Sequence, residues 1–124
     1  MPQKPEQVVA KKIIADLRKA GWECIRLQAG LVRGFTGGLF QMTKAGTPDW
    51  VALRPVTWEA PANIGFGRMM FIETKAPKKK LRASQVERIL ELQKNGFLVV
   101  VTSSHELFRQ WYINTIGEDP WKKN

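Results

Sequence analysis

Asp49, Glu73 and Lys75 are the side chains whose types and spacing could do chemistry. Asp49 ends the turn Gly46-Thr47-Pro48-Asp49 and opens an apolar run, Trp50 to Leu53. Glu73 and Lys75 stand two apart at the close of a second run, Phe71-Ile72-Glu73-Thr74-Lys75. Side chains alternate across a strand, so Met69, Phe71, Glu73 and Lys75 share one face while Met70, Ile72 and Thr74 share the other. The first face is apolar until its last two positions, which sets both charges at the rim of a core. Carboxylate oxygens at such a rim suit a hard divalent cation, Mg²⁺ or Mn²⁺, and such an ion suits the hydrolysis of a phosphodiester. Asp49 and Glu73, on neighbouring strands, would present oxygens to one ion, with the Thr74 carbonyl between them. Lys75 would lie near the attacking water, where it could orient or deprotonate it, or stabilise charge on the phosphate. Each piece also has a plain reading: Pro-Asp is a common turn, and Glu-x-Lys is a common solvated pair at a strand edge.

The elements that must hold these residues can be read in chain order. Val9, Ile13, Leu17 and Ala20 fall at helical spacing over residues 6–20, with Pro5 suited to the start and Gly21 to the end. Glu6 sits on the buried stripe of the first turn, where it either complements the helix dipole or points into a site beneath the helix. Residues 22–27 predict a strand, 50–54 a mostly buried strand, and 68–75 a third, with 55–67 as a loop insert rich in Pro and Gly. Ser84-Gln85-Val86-Glu87 reads as a capping box opening a helix with Val86, Ile89, Leu90 and Gln93 on one side, closed by Asn95-Gly96. Residues 97–101 form a continuous apolar strand of the kind buried on both faces. Ser103-Ser104-His105-Glu106 offers a second capping box, before a helix carrying Leu107, Phe108, Trp111 and Tyr112. Residues 117–124 read as a polar, frayed tail. A helix between two strands makes part of the sheet parallel. The fold class is therefore α/β, one domain over residues 1–124, with a mixed sheet flanked by helices.

Bulk composition narrows the partners. Among 124 residues, 20 Lys+Arg against 11 Asp+Glu give a net charge of +9, which favours a polyanion such as DNA. No apolar run approaches the length of a membrane helix, and the N-terminus lacks the apolar core of a secretion signal. A single cysteine, Cys24, forms no internal disulfide, so a reducing cytoplasm is the expected compartment. Cys24 reads as a small core residue, and lone His105 as a surface residue at a helix start.

Candidate phosphate contacts flank the acids. Arg33 and Lys44 lie in the stretch 28–45, which loses periodicity, is rich in glycine and reads as a hairpin or loop. Gly34-x-x-Gly37-Gly38 lacks the Gly-Lys-Ser/Thr ending of a nucleotide-cradling loop. Lys78, Lys79, Lys80 and Arg82 follow the strand that carries Glu73, as either a solvated loop or a phosphate contact. Trp58, Trp111 and Trp121 fit core, base-stacking or dimer roles equally well.

An ordered set of motifs now stands along the chain: Gly46-x-Pro48-Asp49, Phe71-Ile72-Glu73-x-Lys75-Ala76-Pro77, Ser84-Gln85-x-Glu87, and Leu92-x-x-x-Gly96 before a valine-rich strand. It resembles the VRR-NUC branch of the PD-(D/E)xK nuclease superfamily, in the form of its small stand-alone bacterial or phage members. The resemblance implies a restriction-endonuclease-like αβββαβ core and a Mg²⁺- or Mn²⁺-dependent DNA endonuclease. By position it implies metal ligation by Glu6, Asp49 and Glu73, beside the Thr74 carbonyl read above, with Lys75 as the catalytic lysine and Gln85 beside the water or phosphate. It also implies a homodimer selective for branched DNA, similar to Holliday-junction resolvases, in the cytoplasm of a bacterial or phage-infected cell. The insert at 55–67 departs from the family pattern. Two other readings stand beside it: a non-catalytic basic DNA-binding module, and an RNA-directed nuclease, against which the lack of aromatic RNA-recognition motifs counts.

Overall fold

A computed structural model describes residues 4–27, 46–55 and 67–122. The stretch with Arg33 and Lys44, and residues 56–66 of the predicted insert with Trp58, lie outside the described residues. The elements follow in the order α1 (Pro5–Lys19), β1 (Glu23–Arg26), β2 (Trp50–Pro55), β3 (Gly67–Thr74), α2 (Ala83–Lys94), β4 (Leu98–Thr102) and α3 (His105–Ile116). The order and types match the αβββαβ expectation, with α3 added. No helix among the described residues is long and apolar enough to cross a membrane.

The strands form one sheet in the order β1-β2-β3-β4. The first three pair antiparallel, and β4 pairs parallel to β3 because α2 carries the chain back across the sheet. Alternation along the strands divides the core in two. On one face Cys24, Ala52, Met70, Ile72 and Val100 pack against Ile13, Ile14 and Leu17 of α1 and Phe108, Tyr112 and Ile116 of α3. On the other, Val51, Phe71 and Val99 pack against Ile89 and Leu92 of α2. Burying side chains of this size contributes about 1.5–3 kcal/mol each. Chain reversal after α1 and α2 has one cause in both places: a glycine with positive φ, Gly21 or Gly96, follows the helix. The next residue's N–H then reaches back to a carbonyl of the last turn, Trp22 to Leu17 and Phe97 to Leu92.

Several expectations need correction. Helix α2 begins at Ala83, with Arg82 as its cap rather than Ser84, because the Gln85 side chain accepts from the Arg82 N–H at 2.9 Å. Its buried stripe is Gln85, Arg88, Ile89 and Leu92, while Val86 and Leu90 face outward. The helix is rotated by about one residue from the apolar pattern because two polar side chains turn inward. Helix α3 is capped by Ser104, whose hydroxyl accepts from the Leu107 N–H at 3.2 Å; Ser103 is not the cap, and Leu107 is exposed. Val101 of β4 is also exposed, so that edge strand is not covered on both faces.

Nor does the tail fray where it is described. Glu118 takes both guanidinium nitrogens of Arg54 at 2.8 Å, and Trp121 packs edge-on against Tyr112. His105 is half-buried and paired with Asp16, which Arg109 also reaches at 3.3 Å, so the histidine ties α3 to α1. The Tyr112 hydroxyl accepts from the buried Trp22 indole N–H at 2.9 Å. Tyr112→Phe strands that N–H, and urea denaturation should read a loss of about 1–3 kcal/mol.

Candidate active site

Strand register brings the predicted acids together. The pairing of β2 with β3 ends at Trp50 opposite Ile72. One step further along the chain, Asp49 lies close enough to Glu73 for its charge to act on that carboxyl. The Leu27 N–H donates to the Asp49 carbonyl at 2.6 Å, which fixes this end of β2 against the chain leaving β1. Lys75, half-buried, continues beyond β3, its backbone N–H on the Thr102 carbonyl at 2.9 Å. Glu73 is only 3% exposed, whereas Asp49 is open to solvent.

That burial decides the electrostatics. Removal from water, and then the negative charge of Asp49, push the Glu73 carboxyl up to about 7; the positive charges of Lys75 and Arg82 pull the other way. The Gln85 side chain addresses the same group, its amide nitrogen donating to Glu73 Oε1 at 3.3 Å. Because the Gln85 carbonyl oxygen is held by the Arg82 N–H, the amide presents its NH₂ edge to the carboxylate. Two acids at one strand end, one of them buried, form an oxygen donor set short of positive charge. Hard divalent cations relieve that kind of set.

Helix α2 holds the other acid too, through residues that sequence reasoning missed. Arg88 is 4% exposed; its Nε donates to the Thr47 hydroxyl at 3.0 Å and its Nη1 to Glu91 at 2.6 Å. Thr47 lies two residues before Asp49, and Pro48 between them is fully buried. Gly46 has φ +85°, and a Cβ there would stand 2.2 Å from the Ser84 carbonyl oxygen. The turn 46–49 is thus seated on the first turn of α2, with no room for a side chain at its first residue. The available signal was an arginine inside the apolar stripe of a helix, next to Ile89.

The remaining predicted residues are spread around this pair. Thr74 points to the opposite face, where its hydroxyl donates to the Glu6 carbonyl at 3.0 Å and anchors the start of α1. Glu6 therefore belongs to the helix that covers the other side of the sheet, and meets Asp49 only as a fellow lining residue of a cavity of about 620 Å³. No three His, Cys, Asp or Glu side chains among the described residues form a group able to hold a metal ion. Lys78, Lys79, Lys80 and Arg82 are exposed on the turn after β3, and Lys78 adopts a left-handed φ of 68°. Trp111 and Trp121 pack against the α1/α3 core. Cys24 is a core residue whose thiol burial pushes up, so it is no nucleophile.

Comparison with protein families matches residues 7–106 to the VRR-NUC domain. Comparison with curated proteins and with solved structures gives no match. The family match spans every element from α1 to the first turn of α3.

Two outcomes follow from this geometry. With chelator present, the folded chain keeps a proton on Glu73 between the unfolded value of 4.5 and about 7, a proton the unfolded chain releases. Stability contributed by this site therefore falls as pH rises through that window. Glu73→Gln should match wild type near pH 5 and exceed it near pH 8 in denaturant titrations. Gly46→Ala should lower stability by about 2 kcal/mol or more, since backbone must move to admit the methyl group.

Proposed function

The chain belongs to the VRR-NUC family of nuclease domains, and from that premise we propose that it is a Mg²⁺- or Mn²⁺-dependent DNA endonuclease. The observation that carries this reading is the buried Glu73 carboxyl, near enough to both Asp49 and Lys75 to feel their charges. Asp49, Glu73 and the Thr74 carbonyl would hold the ion, with Glu6 adding a carboxylate from α1. The bound cation supplies charge neutralisation and Lewis acidity toward a phosphate oxygen.

This chain's own groups do the rest. Lys75 places an ammonium at the rim, where it orients the attacking water and offsets charge developing on the phosphate. Gln85 fixes the Glu73 carboxylate through its NH₂ edge, donating to Oε1. Arg88, through Thr47, fixes the turn that aims Asp49. Lys78, Lys79, Lys80 and Arg82 lie on the turn leaving β3, close enough to the acids for Arg82 to be felt at Glu73, and they steady the DNA backbone. Arg33 and Lys44 add phosphate contacts in the same reading. Preference for branched DNA and action as a homodimer rest on the likeness to Holliday-junction resolvases.

A second reading, a basic module that binds DNA without cutting it, draws on one observation: no three-carboxylate group gathers among the described residues. The two readings part cleanly under assay. Four-way junction, flap, duplex and single-stranded DNA are incubated with Mg²⁺, Mn²⁺ or chelator. Asp49→Asn and Lys75→Ala should each lower metal-dependent cleavage by about 100-fold or more while retaining DNA binding. Undiminished cleavage by either variant removes the nuclease site argued here. Salt-sensitive binding with no scission by wild type under any metal condition establishes the binding module instead.

A further inference from the structure

The cavity that Asp49 shares with Glu6 continues away from the acidic pair as a groove beneath α1, on the face of the sheet opposite α2. Its lining holds Lys4, Lys11 and Arg18, spaced seven residues apart. Seven residues are close to two helical turns, so the three cations fall in a row along one side of α1, about 10.5 Å of axis between neighbours. Arg26, at the end of β1 and paired with Trp50, adds a fourth cation from the opposite wall. None of the four makes an ion pair among the described residues; Arg18 donates only to the Cys24 carbonyl, at 3.3 Å. Among the described residues Glu6 and Asp49 are the only acids in the lining, so positive charge dominates the described part of the groove beyond the acidic end.

We propose that this groove binds a single unpaired strand of DNA leading to or from the acidic pair, a proposal that rests on the nuclease reading above. A linear row of unpaired cations matches a linear polyanion better than a compact anion, because each charge can meet a separate phosphate. A cavity of about 620 Å³ lies within the range of small-ligand sites. That volume suits a few nucleotides of one strand better than a double helix. Trp50, half-buried in the lining, offers an aromatic wall against which a base stacks. Ala10 and Ala15 keep α1 thin between the cations, which leaves space for backbone and sugar. The groove and the Lys78–Arg82 turn then lie on opposite sides of the sheet, with Asp49 between them. A substrate with a duplex on one side and a loose strand on the other fits that arrangement.

The test separates binding from cleavage. Fluorescence anisotropy is measured in chelator with a labelled oligothymidylate and with a labelled hairpin duplex. Wild type is compared with Lys11→Glu/Arg26→Glu, with the milder Lys11→Gln/Arg26→Gln, and with a charge-matched control, Lys94→Glu/Lys122→Glu, on exposed positions outside the groove. The groove reversal should weaken single-strand binding about 10-fold more than the control does, and flatten its log–log salt slope by about 1.4, or 0.7 per lost phosphate contact. The glutamine pair should show the same flattening with a smaller loss, and duplex binding should track the control. Equal single-strand losses in groove and control variants overturn the proposal. So does a groove loss of the same size on duplex and single strand.

Nicking by wild type of the four-way junction, flap, duplex and single-stranded substrates with Mg²⁺ or Mn²⁺ is read in parallel. Nicking without a selective groove effect overturns the groove and leaves the nuclease. A selective groove effect without nicking supports the groove as a strand-binding site and overturns the nuclease.

Discussion

A carboxylate removed from water beside a second carboxylate is the constraint around which this fold is arranged. Glu73 sits in a sheet face that is otherwise apolar, and neither burial nor Asp49 favours its charge. An isolated ionised group in that position is strongly unfavourable. The neighbours supply partial relief and no more: one amide N–H from Gln85, and positive charge from Lys75 and Arg82 at the rim. A wholly structural glutamate would be closed off by a buried arginine in bidentate contact, as Arg54 and Glu118 are at the surface. Arg88 stands buried one turn from Gln85 and would be available for that pairing. Its guanidinium instead goes to Thr47 and Glu91. Burial and Asp49 thus leave Glu73 only partly compensated among the described residues, a condition the proposed cation site would relieve.

Helix α2 is the element that makes this possible. An ordinary amphipathic helix in its place would turn Val86 and Leu90 inward and gain apolar burial. Here the helix is rotated so that Gln85 and Arg88 are inside and those two apolar residues are in solvent. The cost in hydrophobic burial is offset by geometry: one buried side chain grips Glu73 and the other grips the turn that ends in Asp49. Both acids are thereby referenced to a single rigid body, though they belong to different strands. The packing of Gly46 against the Ser84 carbonyl closes the same joint from the other side. Sub-ångström placement of reacting groups requires supports of this kind.

The legible part of the site is the part written in strand alternation. Period two along β3 puts Glu73 and Lys75 on one face, and an antiparallel neighbour ending at Asp49 completes the pair. What sequence could not give was anything set by partners on other elements. The cap of α2 fell two residues early because Gln85 answers to Arg82, a choice made with Glu73 in place. Arg88 breaks an apolar stripe, which reads as noise until Thr47 is found under it. The side of the sheet that α1 covers is equally silent in the sequence: periodicity reveals a buried stripe but not the surface it meets. Hence Glu6 was grouped with the acids by resemblance, while the structure joins it to Asp49 only through the groove.

The placement of charge also explains why a +9 chain does not simply coat itself in cations. Several basic groups have internal duties: Arg54 with Glu118 and stacked on Trp22, Arg88 inside α2, Arg109 on Asp16 and over Trp121. The contacts of Arg54 and Arg109 knit the tail, β2, α1 and α3 together on one side of the sheet. Among the described residues, two of the places where cations without acidic partners cluster are the turn after β3 and the groove under α1. Lys78 holds its position in the first of these with a left-handed backbone that glycine would adopt more easily. That conformation costs a lysine about 1 kcal/mol. The same logic that leaves Glu73 short of positive charge leaves these surfaces short of negative charge, which is the condition the proposed phosphate contacts rest on.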